Sequence, residues 1–180
     1  PKKVNYKWKQ TPKVSVIIPT KDKLDLLLPC IDSIIQHTEY PNYEILIADT
    51  GSTDQNKSEI KQYQETHSNI KMVEFDYYHF GKINNEVVGM LENPELVLFC
   101  NNDVEFLNDV ISNMVKTYQM KKNVGTVGAR LHFEDNTIQH NGIGMTIYKN
   151  QKLFVTTHLE VGKSIDYNES VKDVLGSTAA

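Results

Sequence analysis

Three short apolar runs each end in residues able to do chemistry. Val14-Ser15-Val16-Ile17-Ile18 leads into Pro19-Thr20-Lys21, Glu44-Ile45-Leu46-Ile47-Ala48 into Asp49-Thr50-Gly51-Ser52, and Leu96-Val97-Leu98-Phe99-Cys100 into Asn101-Asn102-Asp103. A carboxylate behind a run as apolar as the last cannot retreat into a core without an unpaired charge, so Asp103 is expected to face a crevice. Hard divalent cations take oxygen ligands and are commonly held by one or two carboxylates together with substrate phosphates, so one well-placed Asp suffices. On residue type alone, capping of the next helix by Asn102 or Asp103 competes evenly with metal binding. Asp49 reads first as a solvated turn former, because Asp-x-Gly is ordinary loop chemistry. Lys82 follows Phe80-Gly81 at a helix start, poorly placed for the helix dipole and well placed to meet a diphosphate, with a solvated surface lysine the simpler reading. The six histidines suggest no metal cluster: His132 and His140 flank a hairpin signal, His158 stands on an irregular stretch, and no Cys joins them.

The elements that must position these residues follow from hydrophobic periodicity. A strand from Val14 to Ile18 precedes a helix whose stripe is Leu24, Leu27, Leu28, Ile31, Ile34 and Ile35, ending near His37, with Pro29 tolerable only in its first turn. A second strand ends at Asp49, and Gly51-Ser52-Thr53-Asp54 supplies a turn and N-cap for a polar helix reaching about Thr66. A third strand from Ile70 to Phe75, a helix from Gly81 to about Leu91 and a fourth strand from Leu96 to Cys100 follow. Val110, Ile111, Met114, Val115 and Tyr118 then mark a helical stripe closing on Lys121 and Lys122, and Val124 to Ala129 reads as a fifth strand. Strands apolar on both faces, alternating with helices, specify an α/β fold with a mainly parallel sheet covered on both sides. Such sheets bind ligands outside the carboxyl ends of their strands. The three polar strand ends therefore converge on one edge. After Arg130 the alternation lapses: Asp135-Asn136 suggests a hairpin turn, Gly142 and Gly144 suggest loop, and residues 145–170 read as irregular.

Composition narrows the function classes. The chain has 180 residues, 39% of them hydrophobic and 23% charged, with nine glycines and six prolines, which excludes collagen-like and disordered readings. Nineteen basic against twenty-three acidic side chains give a net charge of -4, the wrong balance for a nucleic-acid binder. Cys30 and Cys100 sit in apolar runs and read as buried free thiols, which suits a reducing compartment. No run of about 18 apolar residues is present to span a bilayer. Residues 1–13, with five lysines and two prolines, read as a linker or docking arm, residues 14–180 as one domain, and the whole as part of a longer chain. The phosphate loop G-x-x-x-x-G-K-[ST], a G-x-G-x-x-G turn after the first strand and the G-x-S-x-G elbow are all missing. NTPase, dinucleotide dehydrogenase and α/β-hydrolase readings lose ground accordingly. A phospho-receiver also has Asp at strand ends but clusters its acids after the first strand, where this chain has Pro-Thr-Lys.

Taken together, Val14 to Lys21, Tyr40 to Asp49 with Gly51-Ser52-Thr53-Asp54, Phe80-Gly81-Lys82-Ile83-Asn84-Asn85, Leu98 to Glu105, Val124 to Ala129 and Thr137-Ile138-Gln139-His140-Asn141-Gly142 resemble family 2 glycosyltransferases of GT-A fold. The branch they resemble is the rhamnosyltransferase-like enzymes of bacterial polysaccharide synthesis. That resemblance implies inverting transfer from a UDP or dTDP sugar to a hydroxyl of a glycan or lipid-linked glycan, assisted by Mn2+ or Mg2+. By position, Pro19, Thr20, Lys21, Asp49, Gly51, Ser52, Lys82, Asn101 and Asn102 would bind the donor, with Asp49 accepting from a ring N-H of the base and Lys82 meeting the diphosphate. Asp103 would ligate the metal directly, and Asn101 stands where the first Asp of an Asp-x-Asp motif is usual. The general base is expected beyond Ala180. Val174 to Ala180 resembles the strand before it, so these residues alone are expected to bind donor without transferring sugar. The resemblance also implies a cytoplasmic setting, at most peripheral at the inner face of the membrane. A non-catalytic nucleotide- or glycan-binding module of the same fold is the alternative.

Overall fold

A computed structural model of the chain describes residues 8–148, 153–167 and 170–178. They form two compact units, one from Trp8 to Ser112 and one beginning at Asn113.

In the first unit β1 (Val14–Thr20), β2 (Tyr43–Asp49), β3 (Ile70–Glu74) and β4 (Leu96–Phe99) form one parallel sheet in the order β3-β2-β1-β4. Helices α1 (Leu24–His37), α2 (Asp54–Glu65) and α3 (Phe80–Met90) connect them, and α4 (Val110–Met120) follows β4. The expected α/β architecture with a parallel sheet is therefore present. Ile17, Leu46 and Ala48 on one face of the sheet pack with Phe75 and with Ile83 and Val87 of α3. Val16, Ile18, Ile45 and Ile47, which alternate with them, are equally buried. The central strands β1 and β2 are thus buried on both faces, which is why they read as continuous apolar runs rather than alternating ones, while β4 at the edge is half-buried.

Thr53 caps α2, its hydroxyl accepting from Asn56 N at 3.3 Å. Pro29 departs from expectation: it lies at the sixth position of α1, past the first turn. Its ring removes one helical hydrogen bond. Burial of Leu27, Cys30, Ile31 and Ile34 on the opposite side holds the helix together regardless. Residues 8–13 are fastened to this unit. Tyr40 donates its hydroxyl to Pro12 O at 2.6 Å, Asn42 donates to Thr11 O at 2.8 Å, and the Trp8 ring meets Tyr40 edge-on.

The second unit is built from hairpins. β5 (Leu131–His132) pairs antiparallel with β6 (Ile138–His140) around the expected turn, where Asn136 takes a left-handed φ of 61°. Two expectations fail here. Residues 124–129 form no strand, because Gly125 and Gly128 contribute no side chains and Asn123 before them turns left-handed. Within the stretch 145–170 that read as irregular, the described residues hold regular structure: β7 (Ile143–Tyr148) pairs antiparallel with β8 (Leu153–His158), while residues 149–152, 168 and 169 lie outside the described residues. Gly144 lies inside β7, not in a loop, at a place where a Cβ would run into the Leu159 side chain. Threonines at 146, 156 and 157 blur the alternation that would have announced this hairpin.

Candidate functional site

The chain passes from β1 to β2 on one side of the sheet and later returns to place β4 on the other side of β1. That reversal opens a crevice beyond the carboxyl ends of β1 and β4, the place where open α/β sheets bind ligands. A pocket of about 260 Å³ lies there, lined by Pro19, Thr20, Lys21, Thr50, Tyr78, Phe80, Asn101, Asn102 and Asp103. Six of the residues singled out in the sequence are thus brought together.

The pocket floor is a hydrogen-bonded knot at Thr20. Its carbonyl accepts from Thr50 N at 2.8 Å and Thr50 Oγ1 at 2.9 Å, tying the ends of β1 and β2. Its hydroxyl accepts from Asn102 Nδ2 at 3.0 Å, tying β1 to the loop after β4. That loop is held from below by the Cys30 and Cys100 thiols, both donating to Asn101 O, and by Phe106 N donating to Ser33 Oγ at 2.9 Å. The expected free thiols are present. The Cys30 thiol and burial push Cys100 well above the usual range.

Asp103 sits exposed at the pocket rim, and neither it nor Lys21 has an ion-pair partner among the described residues. The capping alternative for Asn102 and Asp103 fails, since α4 starts only at Val110 and Asp109 Oδ1 accepts from Ser112 N. The donors at the rim are one carboxylate and amide oxygens, with no thiolate or imidazole. This set suits Mg2+ or Mn2+ completed by water and phosphate oxygens. No cluster of three or more His, Cys, Asp or Glu that could hold a metal ion occurs among the described residues.

Asp49, Gly51 and Ser52 do not line this pocket. Asp49 is fully buried, not solvated as its turn chemistry suggested. Its carboxylate accepts from Gly51 N and Ser52 N at 3.3 Å and from the Ser52 hydroxyl, with Lys57 Nζ 3.8 Å away. Asp22 N in turn donates to Ser52 Oγ at 2.6 Å, and the backbone N-H of Thr53, helped by Asn56, holds the Asp22 carboxyl below the usual carboxylate range. Lys82 also lies off the pocket lining. Its ammonium is 4.2 Å from the centre of the Tyr77 ring and 3.6 Å from Glu86 Oε1. The structure adds Thr50, Tyr78 and Phe80, of which Tyr78 is 69% exposed. A run of aromatics, Tyr77-Tyr78-His79-Phe80, immediately before a helix was the available signal for the last two.

The second unit holds a histidine pair. His140 is buried, its Nδ1 lies 2.7 Å from His158 Nδ1, and its Nε2 accepts from Gly142 N at 3.2 Å. An acceptor Nε2 requires the neutral ring, and burial followed by the neighbouring His158 lowers the His140 pKa. Nitrogen that must accept a backbone N-H cannot carry the proton a metal-bound imidazole would have there.

Comparison with known proteins points one way. The sequence profile described as Glycosyl transferase family 2 matches residues 15–170. The O-antigen biosynthesis protein RfbC of Myxococcus xanthus is 29% identical over 180 residues, 99% of this chain and 14% of that protein. S. aureus TarS 1-349 in complex with UDP-GlcNAc matches with a TM-score of 0.56 at 20% identity, over 76% of this chain and 38% of that one. The mannosyltransferase PcManGT from Pyrobaculum calidifontis, in complex with GDP-Man and Mn2+, matches with 0.52 at 22% identity, over 68% and 37%. The chain spans well under half the length of each, and the structural matches share its GT-A type of α/β fold.

Proposed function

The chain belongs to glycosyl transferase family 2, and from that premise we propose that its pocket binds a nucleotide-diphosphate sugar together with Mn2+ or Mg2+, for inverting transfer to a hydroxyl in bacterial polysaccharide synthesis. The observation that carries this reading is Asp103, exposed and without an ion-pair partner, at the switch point of the sheet beside Lys21. The names of the relatives support the setting, since one acts in O-antigen biosynthesis and the two solved structures hold a nucleotide sugar, one of them with Mn2+. UDP and dTDP sugars are the proposed donors.

Each part of the pocket has a physical task. Asp103, with Asn101 beside it, offers oxygen to a hard cation. When bound, that cation supplies Lewis acidity that neutralises charge on the departing diphosphate. Lys21 adds a second positive charge next to it, and Thr50 and Thr20 hold the strand ends at fixed spacing. Tyr78 and Phe80 present rings to whatever enters. Asp49 and Lys82 are proposed donor contacts only if the Asp49 turn opens and Lys82 leaves Glu86. Inverting transfer also needs a carboxylate within hydrogen-bond reach of the acceptor hydroxyl. Asp103 is the one carboxylate lining this pocket among the described residues, and it is committed to the cation. These residues are therefore proposed to bind donor without transferring sugar at a useful rate.

Thermal unfolding with UDP- and dTDP-sugars, with and without Mn2+, tests the reading. A ligand that binds only the folded state raises its stability by mass action. The expected result is a small shift with nucleotide alone and a larger one with Mn2+. Equal shifts in both conditions would sink the cation role, and no shift in either would sink the donor site.

A further inference from the structure

We propose that Thr20 is a positioning residue for the cation site: its hydroxyl fixes Asn102, and through Asn102 the adjoining Asp103. This rests on the cation reading of Asp103. Thr20 is only 4% exposed although it lines the pocket. A hydroxyl carries one proton, and here that proton goes to Asp22 O at 3.3 Å, which leaves the oxygen to accept from Asn102 Nδ2 at 3.0 Å. The carbonyl of the same residue already accepts twice from Thr50. Thr20 therefore turns its polar atoms to its neighbours, not to the crevice.

What makes this bond matter is where the sheet stops. β4 runs beside β1 only as far as the pairing of Ile17 with Phe99, and the last ladder bond is Cys100 N to Ile17 O at 3.0 Å. Beyond it the chain leaves regular structure at Asn101, Asn102 and Asp103. In that stretch, among the described residues, thiols hold the Asn101 carbonyl at 3.3 and 3.5 Å, and thiols are weak donors. The Asn102 amide to Thr20 is the one strong side-chain bond, and it joins residues 82 apart in sequence. Asp103, one residue on, makes no ion pair of its own, so its place is inherited from Asn102.

The test uses the full chain and four variants. Mn2+ affinity is measured by the electron paramagnetic resonance of free Mn2+ in the presence of saturating UDP, and UDP affinity by calorimetry in EDTA. Thr20→Val keeps the shape and removes the hydroxyl. It is expected to weaken Mn2+ binding roughly fivefold, the scale of one neutral hydrogen bond, a larger factor than any change in metal-free UDP affinity. Thr20→Ser restores the hydroxyl and is expected to restore Mn2+ affinity. Asn102→Ala removes the same bond from the more accessible side, and is expected to weaken Mn2+ by the same factor should Thr20→Val not fold. Wild-type Mn2+ affinity in the variants lacking the bond, failure of Thr20→Ser to rescue, or a metal-free UDP affinity that falls as far as the Mn2+ affinity in Thr20→Val would each overturn the positioning role. Asp103→Ala separates the two ideas. If it binds Mn2+ like wild type, the cation reading itself falls; if it alone loses Mn2+, only the role of Thr20 falls.

Discussion

The two ends of the parallel sheet treat charge in opposite ways. At the amino end Glu44 is nearly buried, and its carboxylate receives Ser15 Oγ and Lys13 Nζ at 2.8 Å and Lys71 Nζ at 3.3 Å. Three strand starts are stapled by one satisfied anion. At the carboxyl end β2 closes on itself through Asp49, and Glu74 at the end of β3 pairs with Lys57 and Lys61 at 3.0 and 2.9 Å. At the switch point between β1 and β4, Lys21 and Asp103 make no ion pair among the described residues. A ligand can gain only from groups the protein has not already satisfied. The contrast therefore says where binding energy is available and where the charge serves stability alone.

The contrast is broken most severely at Asp49. Asp49→Ala removes the buried acceptor of Gly51 N, Ser52 N and the Ser52 hydroxyl, and is expected to destabilise the fold by roughly 3 kcal/mol in denaturant unfolding. Undiminished stability combined with weaker UDP binding would instead make Asp49 a ligand contact. Glu44→Gln comes next, at about 2 kcal/mol, since Lys13 and Lys71 retain partial access to water. Burial raises the Glu44 pKa, but the bonds from Lys13, Ser15 and Lys71 outweigh it and the carboxyl lies below the ordinary 4.5. Its contribution is therefore present above that value and lost as pH falls through the lowered folded value. The variant should lose less stability than wild type on acidification across that window; parallel pH profiles would show that Glu44 is not the responsible group. The smallest effect is expected at Asp103. Asp103→Ala should change the ligand-free unfolding free energy by less than about 0.5 kcal/mol, and a loss of a full kcal/mol or more would mean that the rim carboxylate is structural after all.

Legibility in the sequence followed the same division. The four strands and the helices between them were readable because burial on both faces leaves apolar runs that polar loops interrupt. Asp103 was readable for a related reason: behind Leu96 to Cys100 a carboxylate has nowhere to go but out. Asp49 was harder, because Asp-x-Gly makes the same local turn in water or under cover, and only the Ser52 and Lys57 contacts decide which. Pro29 shows tertiary burial overriding local preference. The stretch 124–129 and the β7–β8 hairpin went astray for opposite reasons: glycines dilute an apolar run that looked like a strand, while threonines hide a strand that exists. Tyr78 and Phe80 carry no charge or periodic signal, and their place at the pocket comes from the turn into α3.

The paired thiols beneath the pocket have a practical consequence. Cys30 on α1 and Cys100 at the end of β4 share the Asn101 carbonyl, and both are buried. Shielded by burial, they should meet a thiol reagent only when α1 and the β4 end part. Their labelling rate then times how often the loop bearing Asp103 comes away from its support, a stopwatch already built in under the site.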